Sequence, residues 1–294
     1  MNKGIAAGIG AYALWGFFPI YFHALSNISP FQVTAHRIVW SFLFLILVVA
    51  VRGELRSLKS AITQRILPVY LAAGLLISIN WLTFIWGVGA GFVVETSLGY
   101  FINPLVSVVL GVVFLHEKLR PAQWAPVIMA AAGVAYLAMS HGSLPWLALV
   151  LAFSFGLYGL MKKIAPLSSL HGLVLETGTI FGAALAFLVF EQVIGAGSFV
   201  QAGPLPTLLL ALVGVVTAIP LLLFATSAKN VPLSTLGLLQ YISPTIQFLI
   251  GVFLYGEPFA PEQVVGFGII WVALLIFSAE SFLARRRSIQ ALAA

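Results

Sequence analysis

Two ionisable side chains, Arg37 and Glu176, stand inside long apolar runs of this chain. A charge at membrane depth costs about 2.5–3.5 kcal/mol on insertion scales, so each is expected to face a bundle interior or a cavity, where it can pair, bind or move a proton. The two enter their runs from opposite faces. At about 1.5 Å per residue each lies about 9 Å deep, with about 12 Å of depth between them, so a direct ion pair is not expected. For Arg37 the candidate partners are Glu95 and helix-end carbonyls. Its candidate roles are a gate, a recruiter of carboxylates, or a structural cation that reaches back to the headgroups. Glu176 is a coupling or gating candidate, or a structural carboxyl bonded to a neighbouring helix. His36, 140 residues before it, is a second group able to titrate.

Pro104 and Pro244, also 140 residues apart, fall inside two other apolar runs. Each lacks an N–H and displaces the carbonyl four residues earlier, on Tyr100 and Gln240. Helices broken in this way present backbone acceptors at the middle of a membrane. Tyr100, Asn103, Gln240, Tyr241 and Gln247 are then predicted to line a polar cavity; a packing kink with its carbonyls satisfied by neighbours is the other reading. Candidate aromatic and amide walls are Tyr12 and Trp15 in the first run, Asn80, Trp81 and Trp86 in the third, and Tyr158 in the sixth. Trp15-Gly16 and Phe155-Gly156 occupy equivalent positions, and glycine there permits close helix approach while the ring projects. Such walls suit an amphipathic or aromatic solute better than an inorganic ion.

The elements that must position these residues are ten apolar runs, near 4–24, 31–51, 66–89, 96–115, 121–140, 144–161, 171–190, 205–228, 233–254 and 262–283. Each approaches the roughly 20 residues that a bilayer core about 30 Å thick requires of a helix. With 61% hydrophobic and 7% charged residues, the chain has too little polar surface for a soluble globule of 294 residues. The runs are continuous rather than alternating, which predicts an all-α integral membrane protein and not a β-barrel. The first run lacks a small-residue cleavage site and is expected to be a retained helix.

The second five runs repeat the first five. Shifting Leu98–Gln123 by 140 gives eight identities, including Pro104/Pro244, Gly111/Gly251, Glu117/Glu257 and Pro121/Pro261. The expected repeats are residues 1–140 and 141–294. Five is odd, so the second repeat is threaded in the opposite sense, and an inverted repeat is a transporter signature.

The net charge of +6 is explained by topology. With the N-terminus inside, the inner links and ends carry 13 of the 14 Lys and Arg, namely Lys3, Arg52, Arg56, Lys59, Arg65, Lys118, Arg120, Lys162, Lys163, Lys229 and Arg285 to Arg287. Both termini are therefore expected in the cytoplasm. No basic cluster alternates with aromatics, so no nucleic acid partner is expected. The chain has no Cys and no Asp, which removes disulfides and thiolate chemistry and leaves no paired-carboxylate or HExxH motif. No Gly-rich nucleotide string is present either. No catalytic residue, metal or cofactor is expected, and the chain is read as a non-enzyme.

The strings Thr34-Ala35-His36-Arg37-Ile38-Val39-Trp40-Ser41, Asn80-Trp81-Leu82-Thr83-Phe84-Ile85-Trp86, Ser97-Leu98-Gly99-Tyr100-Phe101-Ile102-Asn103-Pro104-Leu105 and Ser234-Thr235-Leu236-Gly237 through Gln240-Tyr241-Ile242-Ser243-Pro244-Thr245 resemble the RarD group of the EamA family. That family belongs to the drug/metabolite transporter (DMT) superfamily, whose members include YddG-type amino-acid exporters. The resemblance covers nearly the whole chain. It implies ten helices in two inverted five-helix repeats around a central cavity, in a bacterial inner membrane. The expected function is a secondary exporter of small amphipathic metabolites, amino acids foremost, working by alternating access. A lipid-handling, flippase-like carrier and a non-transporting membrane interaction protein are the alternatives. Expected partners are a small-molecule solute and membrane lipid; the sequence leaves oligomeric state open.

Overall fold

The computed structural model describes residues 3–89, 93–139, 146–256, 264–266, 268–277, 279–280 and 283. The first run forms α1 (Lys3–Gly16) and α2 (Phe18–His23), broken at Phe17 where Pro19 brings no N–H to the next turn. Then follow α3 (Pro30–Val51), α4 (Leu55–Ala61), α5 (Leu67–Gly89), α6 (Val93–Phe114), α7 (Pro121–Met139), α8 (Trp146–Ile164), α9 (Ser169–Val193) and α10 (Pro204–Asn230). The chain closes with α11 (Leu233–Leu239), α12 (Ile242–Phe253) and an apolar helix α13 (Val264–Phe277). Pro30, Pro121 and Pro204 each open a helix, where a missing N–H costs nothing. Seven spans are long and apolar enough to cross a bilayer, and Leu98–Phe114 and Val264–Phe277 are shorter apolar helices. The architecture is all-α and membrane-spanning; among the described residues each predicted run contributes helix, and α4 alone lies in a link.

Contacts between repeats obey the 140-residue offset. A Cβ on Gly16 would lie 2.7 Å from Cβ of Ile246, and one on Gly156 would lie 2.7 Å from Cγ1 of Val106. Gly16 and Gly156 are equivalent positions, and so are Val106 and Ile246. Thus α1 against α12 and α8 against α6 use one close approach twice. Between them Tyr12, Trp15, Phe155, Tyr158 and Phe224 fill the centre, with Tyr158 stacked on Phe224 at 5.6 Å.

The mirrored prolines act differently. Pro104 sits inside a continuous α6, whereas the ninth run is cut at Gln240–Tyr241 and Pro244 falls in the first turn of α12. At that cut Gln240, Tyr241 and Ser243 donate to carbonyls three residues back, a local 3₁₀ tightening. In α6 the Tyr241 hydroxyl donates to the carbonyl of Phe101 (3.2 Å), supplying a partner beside the proline.

Candidate functional site

Four helices surround a small cavity that two ionisable residues, Arg37 and Glu176, help to line. Thr34, Arg37, Ile38 and Ser41 line it from α3, Ile77, Ser78 and Trp81 from α5, Glu176, Thr177 and Ile180 from α9, and Thr217 and Leu221 from α10. Spacings of three and four place each set on one helix face. The cavity measures about 30 Å³, room for about two waters. A metabolite therefore enters only when the surrounding helices part.

Arg37 is 4% exposed. Its Nε donates to Thr217 Oγ1 (3.0 Å), and its guanidinium lies over the Trp81 ring, with Phe22 and Phe18 centred 5.2 and 5.9 Å away. Aromatic faces attract a cation and hold its plane fixed. Nη2 is buried and without a hydrogen-bond partner. The guanidinium is thus positioned by one hydroxyl and three rings and keeps a donor free, an arrangement suited to a carboxylate. Of its expected partners, the Glu95 side chain lies outside the described residues, and the bond actually made is to a hydroxyl on α10.

Glu176 is 1% exposed and is paired with Lys162, itself 2% exposed, at 2.7 Å. This corrects the charge count above: α8 continues to Ile164, so Lys162 is a buried helical cation paired with Glu176 and not a link residue. Among the described residues the buried charges are Arg37, Lys162 and Glu176, a sum of +1.

The two ends of the bundle are closed by different means. At the basic end Lys163 donates to the carbonyls of Ala228 (3.2 Å) and Val231, at the C-terminus of α10, while Lys229 donates to those of Ala165 (2.9 Å) and Leu167, past the C-terminus of α8. Each cation sits where a helix dipole ends. Glu117 accepts from Leu233 N, Ser234 N and Ser234 Oγ, capping α11, and His171 meets Glu54 at 2.9 Å. The other member of the Glu117/Glu257 match lies outside the described residues. At the opposite end Gln32 ties down the α9–α10 link through Glu191, the carbonyl of Ala196 and the amide of Ser198. That link sets Phe199 against His36 (5.1 Å) and Trp40 (5.9 Å).

Of the residues singled out from sequence, Arg37, Trp81 and Glu176 meet at the cavity. His36 turns away from it to Phe199. Asn80 donates to the carbonyl of Leu151 and to Ser154, joining α5 to α8, and Trp86, 45% exposed, packs on Trp146. Tyr12, Trp15 and Tyr158 belong to the central aromatic packing. The predicted cavity at the kinks is packed instead. Tyr241 bonds to Phe101, Gln247 donates to the carbonyl of Trp15 (3.1 Å), Gln240 reaches Ser107, Asn103 is buried, and Tyr100 lies edge-on to Phe84. Asn103 Oδ1, Gln240 Oε1 and the hydroxyls of Tyr12 and Tyr158 stay buried without hydrogen-bond partners. Thr34, Ser41, Ser78, Thr177 and Thr217 went unnoticed, because a hydroxyl in a membrane helix can return its bond to its own helix, as Thr177 does to Leu173.

The EamA-like transporter family matches residues 2–139 and again residues 143–279. The chain is 48% identical over 284 residues to an uncharacterized transporter, YojE, of Bacillus subtilis (strain 168), covering 94% of each. It is 42% identical to the protein RarD of Streptomyces exfoliatus, covering 98% of this chain and 91% of that one. A solved crystal structure superposes with a TM-score of 0.69 over 96% of this chain and 98% of its own, at 18% identity, a likeness of fold.

Proposed function

The chain belongs to the EamA-like transporter family, and on that premise we propose that it carries small carboxylate-bearing amphipathic metabolites, amino acids foremost, across the bacterial inner membrane. The observation that supports the solute class is the free Nη2 of Arg37, whose charge is left without a counter-ion because Glu176, the other charged residue at the cavity, is paired with Lys162. A cation without a counter-ion in an apolar bundle is costly, and a solute carboxylate supplies both the missing charge and the missing acceptor. Trp81 beside it offers a flat apolar face to the rest of the solute.

Alternating access is the cycle that the two closed ends support. The cavity is smaller than any metabolite; lysines join α8 and α10 at one end of the bundle, and at the other the α9–α10 link packs Phe199 on α3. Exchange of solute requires these closures to open in turn. The experiment is counterflow of labelled neutral amino acids into proteoliposomes preloaded with unlabelled ones. Saturable accumulation that is lost in Arg37→Gln is expected; absence of binding and counterflow for every amino acid would refute the reading.

A further inference from the structure

Resting on that reading, we propose that Lys162 is a built-in stand-in for the ammonium group of an amino-acid solute: it occupies the Glu176 carboxylate in the empty carrier and gives way to the solute's own ammonium. Four observations carry this.

The Lys162–Glu176 pair is almost wholly buried, at 2% and 1% exposure and 2.7 Å. Buried ion pairs of this kind are often no more stabilising than apolar residues of the same volume, so stability alone does not account for one here. The cation is a primary ammonium, the same group that an amino acid bears, and not the planar fork of an arginine.

Glu176 lines the same small cavity as Arg37. An amino acid carries its carboxylate and ammonium on one carbon, so a single molecule presents an anion toward the free Nη2 and a cation toward Glu176. Thr177 and Thr217 line the same cavity.

Lys162 also has somewhere to go. It lies two residues before the end of α8 at Ile164, a rise of about 3 Å. Its four-carbon stem can lay along the helix and put the ammonium in the aqueous interface. The exchange therefore leaves no uncompensated cation in the bundle.

The site to which it withdraws is already occupied by cations. Lys163 and Lys229 there hold the ends of α10 and α8, and Lys229 lies within the electrostatic field of Lys162. A third ammonium arriving beside them weakens both closures by like-charge repulsion. Binding of an amine-bearing solute is thereby linked to opening of the basic end, whereas a solute with a carboxylate alone leaves Lys162 in place.

The test uses the purified full chain in detergent and calorimetric titration with L-phenylalanine and L-leucine, each beside its deamino analogue and its amide. In the native protein the deamino analogues are expected to bind severalfold more weakly than the amino acids, because only the amino acids release Lys162 to water, the bond to Glu176 being exchanged and not gained. Lys162→Met should tighten the amino acids severalfold and leave the deamino analogues unchanged. Should that variant fail to fold, Lys162→Met/Glu176→Gln, which removes both charges of the pair together, is expected to bind amino acid and deamino analogue equally while still rejecting the amide. Deamino analogues that bind the native protein as tightly as the amino acids would overturn the role of Lys162 and leave the carboxylate-carrier reading standing. So would a double variant that discriminates as the native chain does. If neither amino acid nor deamino analogue binds, the carrier reading itself fails and this proposal with it.

Discussion

Trp15 and Phe155 stand 140 residues apart in the chain and meet edge to face, their ring centres 5.7 Å apart and their planes at 81°. Equivalent positions of two inverted repeats touch only near the axis that relates them. The axis of this bundle therefore runs through aromatic packing, and the cavity lined by Arg37 and Glu176 is a separate feature.

The mirrored glycines are expected to be alike in cost and unlike in rescue. Gly16→Ala and Gly156→Ala should each destabilise the protein by about 1–3 kcal/mol through overpacking. At Gly156 the clash is with Cγ1 of Val106, so Val106→Ala should restore stability; at Gly16 the clash is with Cβ of Ile246, and Ile246→Ala should not. Thermal unfolding in detergent reads both pairs. Equal rescue at the two sites would contradict the stated contacts.

Arg37→Gln should keep the neutral bond to Thr217 and lose the charge. Binding of amino acids and of other monocarboxylates is expected to fall about ten to a hundredfold, since a hydrogen bond to a charged group contributes about 1.5–3 kcal/mol. Amides of the same compounds should change little. A uniform loss across acids and amides, measured by titration, would mark Arg37 as a packing residue.

Gln32→Ala removes three hydrogen bonds to Glu191, Ala196 and Ser198 and should release the α9–α10 link. Faster amide exchange at residues 196–200 is the expected result, with a change in unfolding temperature much smaller than that of Gly156→Ala. Unaltered exchange would show that Phe199 packing alone holds the link in place.

Topology is tested in the naturally Cys-free chain. Ser57→Cys, in the exposed basic link, should be labelled by an impermeant maleimide only after cells are opened, while Gln201→Cys in the α9–α10 link should be labelled in intact cells. The reverse pattern would invert the orientation.

Much of the scaffold was legible in the sequence because it depends on length and apolarity, which composition exposes directly. The close approaches at Gly16 and Gly156 were legible too, since a repeated glycine beside a ring has few other uses. Lys162 was not, because an apolar run is taken to stop at its first charge; the partner that draws Lys162 inward stands on the next helix, 14 residues on. The kink cluster misled for a related reason. Prolines reveal that carbonyls are freed, and only the fold reveals that Tyr241 and Gln247 from the opposite repeat donate to other carbonyls nearby, on Phe101 and Trp15.

The crossed lysines at the basic end give the closure a logic of its own. Because Lys163 secures the end of α10 and Lys229 secures the region past the end of α8, neither helix can swing out while the other stays latched. The arrangement is a double latch: each of the two helices holds the other's end, and both holds must be released before they part. A carrier so built has few half-open moments, and it is in such moments that ions and protons slip through a membrane unescorted.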